Sequence, residues 1–237
     1  MTSLNILSGG AAQGLVTSLA PDLKAITGFD ITGEFGAVGA MADKLRKGTP
    51  TDIVILTAKI IADLAGENVV VAASIADVGL VETAIAVRAG DSLVAVKDAA
   101  TLREALLAAD AIFVPDTKVS TAGIHVAKIL QQLGIADAVE ARLKIYPNGA
   151  TAMRDLAASE AARPIGCTQS TEIISTPGVV LSGPLPPGCD LATMYTAAVT
   201  TQAAHRREAQ ILIDLLTAKD QAPQRERAGF IDANIAL

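Results

Sequence analysis

Residues 33–56 read GEFGAVGAMADKLRKGTPTDIVIL. The closing run from Asp52 to Leu56 is short and apolar, as expected of a buried strand. Ahead of it, Met41 to Lys47 places its apolar residues at helical spacing. Between a preceding strand and that helix stand four small residues, Gly36-Ala37-Val38-Gly39. Strand, tight loop, helix and buried strand in succession point to an α/β fold.

The same alternation extends outward in both directions. Leu4 to Leu7, Thr83 to Val87 and Ala111 to Val114 read as further short strands. Ala12 to Ala20, Ala58 to Leu64, Leu102 to Ala108, Gly123 to Leu133, Ala150 to Ala158 and Arg206 to Thr217 read as helices. Mostly parallel sheets covered by helices follow from this order. The polar QAPQRERAGF stretch near the end of the chain is expected to fray. Two passages suit a chain crossing between lobes, Gly79 to Thr83 and the SGPLPPGCD segment, where Pro and Gly enforce an extended, turning backbone. The expected division is residues 1–82 with 193–237 as one lobe and 83–192 as the other.

Composition removes several classes of partner. With 237 residues and 51% hydrophobic side chains, the chain has enough material for a substantial core, which argues against disorder. Its formal net charge of -6 is scattered along the sequence, so no nucleic acid or anionic membrane surface is expected as a partner. Aromatics make up 3% and Trp is missing, which leaves no stacking platform for bases or sugars. No run approaches the ~20 apolar residues that span a bilayer, so membrane insertion is not expected. The two cysteines, Cys167 and Cys189, form no CxxC and imply neither zinc nor a disulfide framework. No metal and no cofactor is expected. The opening MTSLNILSGGAAQGL has no basic n-region and no long apolar core, so a cytoplasmic location is expected, or a periplasmic one if a leader has been removed.

Four strand-to-helix junctions share small residues: Ser8-Gly9-Gly10-Ala11, Gly36-Ala37-Val38-Gly39, Ser120-Thr121-Ala122-Gly123 and Asn148-Gly149-Ala150-Thr151. Small side chains let a ligand reach the free N–H groups of a first helical turn, where the helix dipole favours negative charge. Candidate binding residues are therefore Ser8, Gly10, Ala11, Ala37, Val38, Thr121, Ala122, Asn148, Ala150 and Thr151. For any one of them an ordinary tight turn or N-cap is an equally good account. GGAAQG lacks the GxGxxG spacing and no GxxxxGK[ST] occurs, which disfavours nucleotides.

In GCTQSTEI, Gly166 to Ile173, an apolar entry gives way to polar residues, as at a strand that ends on a ligand cleft. Thr168 and Gln169 can donate to a ligand oxygen, and Glu172 can act as a base; an N-cap leading into a helix fits equally well. His125, one turn into its helix, and Glu34 are further candidate bases, with surface or core roles as the alternative. His205 suits an exposed helix start, Arg154 a surface ion pair, and Cys167 a small buried hydrophobe.

Taken together, the GGAAQG helix start, GEFGAVGAMADKLRKGTPTDIVIL, PDTKVSTAGIHVAKILQQLGI, IGCTQSTEI and SGPLP resemble the molybdate-binding family of type II periplasmic binding proteins over nearly the whole chain. That resemblance implies two lobes, each a mostly parallel sheet flanked by helices, with a ligand cleft between them. It also implies an oxyanion gripped by a serine in each of the first two loops and by a later tyrosine. The matching positions here are Ala11, Ala37-Val38-Gly39 and the neighbourhood of Gln169, so the hydroxyls are missing. Each lost donor costs roughly 1–3 kcal/mol, which points away from molybdate and towards an organic acid.

Two functions are expected on this basis. One is an isomerase of a small polycarboxylate, resembling aconitate isomerase, with N–H loops stabilising enolate-like charge and Glu172 or His125 as the base. The other is a solute receptor that presents a small anion to an ABC permease.

Overall fold

A computed structural model describes residues 2–231. The chain forms two compact units, Met1–Val81 with Thr193–Leu237, and Glu82–Ala192.

The first unit opens with β1 (Ser3–Gly9), a 3-10 turn and α1 (Gln13–Thr27), then β2 (Asp30–Gly36), α2 (Val38–Arg46), β3 (Ile53–Thr57) and α3 (Ala58–Gly66). β1 pairs in parallel with both β2 and β3. Each helix therefore starts from the carboxyl end of a strand in one parallel set. All five residues of β3 are buried, which accounts for its unbroken apolar run, because an inner strand covered on both faces has no need for alternation. β2 is mostly exposed, as expected of the edge position it occupies beside β1. α1 buries Leu15, Val16, Leu19 and Leu23 on one stripe and ends at Gly28 in the left-handed region, φ 76°.

The chain leaves this unit along β4 (Ala76–Arg88). The second unit continues with α4 (Ala99–Ala108), β5 (Ala111–Pro115), α5 (Thr121–Gln132), α6 (Ala136–Val139), β6 (Leu143–Tyr146), α7 (Gly149–Ala157), β7 (Pro164–Gln169), α8 (Ser170–Ile174) and β8 (Val179–Pro184). β5 lies parallel between β6 and β7, while β4 runs antiparallel to both β7 and β8. Alternation along the strands sorts two cores. Ile85, Ile112, Val114 and Cys167 pack with α4 and α5, whereas Ala84, Ala86 and Phe113 pack with Met153 and Leu156 of α7. Gly166 makes room on the second face for α7, since a β-carbon there would lie 2.5 Å from Met153 Cε and 2.7 Å from Leu156 Cδ2.

The chain returns through β9 (Ala192–Val199), antiparallel to β3, and ends in α9 (Arg206–Thr217) and α10 (Ala222–Arg227). The stretch expected to fray is thus partly helical. Arg225 Nη1 donates to the carbonyls of Leu216 (3.1 Å) and Ala218 (2.7 Å), and Phe230 is buried edge-on to Tyr195. Among the described residues, no helix is long and apolar enough to cross a membrane.

Candidate functional site

In the first unit the Ser8–Ala11 loop is wholly buried. The Ser8 hydroxyl donates to the Gly9 carbonyl at 2.9 Å, so this expected ligand donor is used by its own backbone. No side chain caps the turn that begins at Gly10, which leaves its N–H groups to the loop. Gly9 admits no side chain, because a β-carbon would lie 2.8 Å from both the Tyr195 ring and Val38 Cγ1. Ala37 precedes α2 in extended conformation, again with no side-chain cap. Ala37, Val38, Gly10, Ala11 and Tyr195 are therefore gathered around the ends of β1 and β2. Tyr195 escaped the sequence reading because only its place on β9, opposite Thr57 of β3, brings it there. Glu34, an alternative base, instead forms an exposed ion pair with Lys44.

In the second unit Ser120 precedes α5 without a side-chain cap, and Thr121 and Ala122 open the helix. Gly123 fits its turn only without a side chain, since a β-carbon would be 2.1 Å from the Asp116 carbonyl oxygen.

The fourth loop is different. Asn148 Oδ1 accepts the Thr151 N–H at 2.9 Å, an N-cap. The Glu172 carboxylate accepts the backbone N–H groups of Gly149, Ala150 and Gln169, and the Thr168 hydroxyl donates to it at 2.5 Å. The start of α7 is thus filled by a carboxyl group belonging to the protein. Asn148, Ala150, Thr151 and Thr168, expected to face a ligand, have internal partners instead. Glu172, expected as a free base, is 5% exposed; burial pushes its pKa up, against the opposing pull of the Thr168 hydroxyl and the three N–H groups.

His125 places Nε2 2.8 Å from the Cys189 carbonyl oxygen, and Gln132 on the same helix donates to Gly188. Both fasten α5 to the Gly-Pro-rich segment, so the histidine ties structure together rather than standing free. Arg154 donates to Thr151 Oγ1 and His205 packs edge-on to Phe29, both with local partners. Cys167 is buried among apolar side chains and its thiol is pushed up to about 12.

Gln169, at the end of β7, is 3% exposed, and neither amide atom has a hydrogen-bond partner among the described residues. Of the polar GCTQSTEI side chains expected to act, it is the one that remains available. Cavities of about 510 Å³ in the second unit and 420 Å³ in the first lie at strand starts, beside Pro164 and Asp52, away from these helix starts. No cluster of metal-binding side chains occurs among the described residues.

Comparison with known proteins follows the same lines. A family model described as bacterial extracellular solute-binding protein matches residues 4–231. An aconitate isomerase from a Pseudomonas species is 26% identical over 97% of this chain and 88% of its own. The periplasmic molybdate-binding protein of Azotobacter vinelandii superposes with a TM-score of 0.81 at 16% identity, over 97% of this chain and 99% of that one. The sulfate-binding protein SubI of Mycobacterium tuberculosis H37Rv gives a TM-score of 0.74 at 18% identity, over 100% and 88%.

Proposed function

We propose that this chain, which belongs to the bacterial extracellular solute-binding protein family, binds a small polycarboxylate anion and isomerises it about a double bond. The observation that carries the anion is the set of helix starts left uncapped by side chains, at Gly10, Val38 and Thr121, each following a strand. Such N–H groups suit carboxylate oxygens as well as tetrahedral ones. The missing loop hydroxyls favour carboxylates over molybdate or sulfate, the anions named for the structural neighbours. The aconitate isomerase relative, similar along nearly the whole chain, supports both the ligand class and the reaction.

Isomerisation needs a base beside a carbon acid and donors for the charge that develops. The uncapped N–H groups supply the donors. Glu172 positions the start of α7 through its bonds to Gly149 and Ala150, and His125 positions α5. That both expected bases are engaged favours a second reading, a solute receptor that binds the same anion without changing it and delivers it to an ABC permease.

Thermal-shift measurements with molybdate, sulfate and di- and tricarboxylates, followed by proton NMR of cis- and trans-aconitate in deuterated water, separate the two. Interconversion or deuterium uptake is the expected result. Binding without either leaves the receptor, and stabilisation by molybdate with none by carboxylates overturns the polycarboxylate.

A further inference from the structure

Three polar side chains of the second unit are buried with no hydrogen-bond partner among the described residues: Gln169 at 3% exposure, Thr83 at 1% and Thr171 at 3%. Buried polar groups nearly always find partners, so groups left unsatisfied call for an explanation. Thr83 and Gln169 face each other in the antiparallel β4–β7 register, which sends their side chains out of the same face of the sheet as neighbours. Thr171 follows two residues later, in α8. Unlike Thr168, whose hydroxyl is taken by Glu172, these three are committed to nothing within the described chain.

Hydrogen-bond chemistry narrows what they can receive. The Glu172 carboxyl group is already engaged beside Gln169, accepting its backbone N–H. A carboxylate ligand only accepts, so it would satisfy the Gln169 amide nitrogen and leave Oε1 without a donor. A neutral hydroxyl both gives and takes a hydrogen bond and satisfies both ends.

We propose that Gln169, Thr83 and Thr171 form a neutral subsite for a hydroxyl group of the ligand, so that the polycarboxylate this protein prefers carries a hydroxyl beside its ionised groups. This rests on the polycarboxylate reading in its receptor form, because aconitate carries no hydroxyl and citrate no double bond to isomerise. Gln169 supplies the two-way amide, and the threonines complete the ring of donors and acceptors. Glu172 does not touch the ligand; it occupies the N–H groups of Gly149 and Ala150 and so closes the α7 start to external anions.

Citrate and propane-1,2,3-tricarboxylate carry the same three carboxylates and differ by one hydroxyl. Calorimetric titration of the full chain is expected to favour citrate by at least about 10-fold, with the preference collapsing in Gln169→Leu and shrinking in Thr83→Val. Equal binding of the two acids, or a preference unchanged in Gln169→Leu, overturns the subsite while leaving the polycarboxylate reading intact. A second measurement needs no ligand. If these groups are held in readiness for a ligand, replacing them by apolar residues of similar shape raises the Tm of the free protein, by about 2–4 °C in each variant. A lowered Tm in both variants overturns the subsite whatever binds. A raised Tm with neither acid bound supports the subsite and rejects the polycarboxylate.

Discussion

A β-carbon built on Gly149 would lie 1.9 Å from Glu172 Oε2, so the glycine and the glutamate are pressed together at the start of α7. The same β-carbon would come within 2.1 Å of Thr168 Oγ1. Gly149→Ala is therefore expected to destabilise the protein by about 1–3 kcal/mol, the usual range for overpacking a filled site. Urea unfolding of Gly149→Ala, Glu172→Ala and the double variant tests the contact. The two substitutions should couple by more than about 0.5 kcal/mol, whereas simple additivity would show that they do not meet.

Glu172 also sets a dependence on pH. Its folded pKa lies above the ordinary carboxyl value of 4.5, with burial as the main cause. In the window between the two values the folded state holds a proton that the unfolded chain has released. The resulting stabilisation is complete below the unfolded value and is lost as pH rises through the folded one. Unfolding free energies measured from roughly pH 4 to pH 8 should thus fall in the wild type relative to Glu172→Gln. A wild-type curve that rises relative to the variant across that window would mean that the hydrogen bonds from Thr168 and the backbone outweigh burial.

The helix starts around these residues were legible in the sequence because small residues ahead of a periodic stretch have a local cause. Gly36-Ala37-Val38-Gly39 and Ser120-Thr121-Ala122-Gly123 both open helices as expected. What fills a helix start is not local. Nothing in the order of residues says that Glu172 reaches Gly149 from another strand-helix connection, or that Tyr195 of β9 closes on Gly9. The bounds of the edge strand β2 are not legible for a related reason. Its exposed pattern offers no apolar run, and its pairing with β1 is what makes it a strand.

Asp52 explains why an acidic residue stands ahead of the buried IVIL run. It is 1% exposed, its Oδ2 accepts the Asn5 N–H at 2.8 Å and its Oδ1 accepts the His205 N–H at 2.9 Å. One carboxylate thereby joins β1, β3 and the start of α9. Asp52→Asn puts an NH2 group against one of these donors and leaves that N–H without an acceptor. A loss of about 1–3 kcal/mol in chemical unfolding is expected, and a larger one for Asp52→Ala. An unchanged unfolding midpoint for both variants would show that the three segments are held by other contacts.

Cys167 and Cys189 are both buried, at 3% and 0% exposure, and burial pushes the Cys167 thiol up to about 12. Near pH 8 its thiolate fraction is then on the order of one in ten thousand, and the thiolate is the form that reacts. A bulky maleimide should leave Cys167 unlabelled in the folded protein and reach it only through unfolding. Its labelling rate should follow the unfolding rate across denaturant concentrations, which mass spectrometry of the labelled peptide can measure. A ligand that binds only the folded state draws population away from the reactive one and should slow labelling in proportion to its occupancy. The buried thiol then reports on binding at a site it does not touch. Rapid labelling of Cys167 in native buffer, insensitive to denaturant, would contradict its place in the core beside Ile85 and Val126.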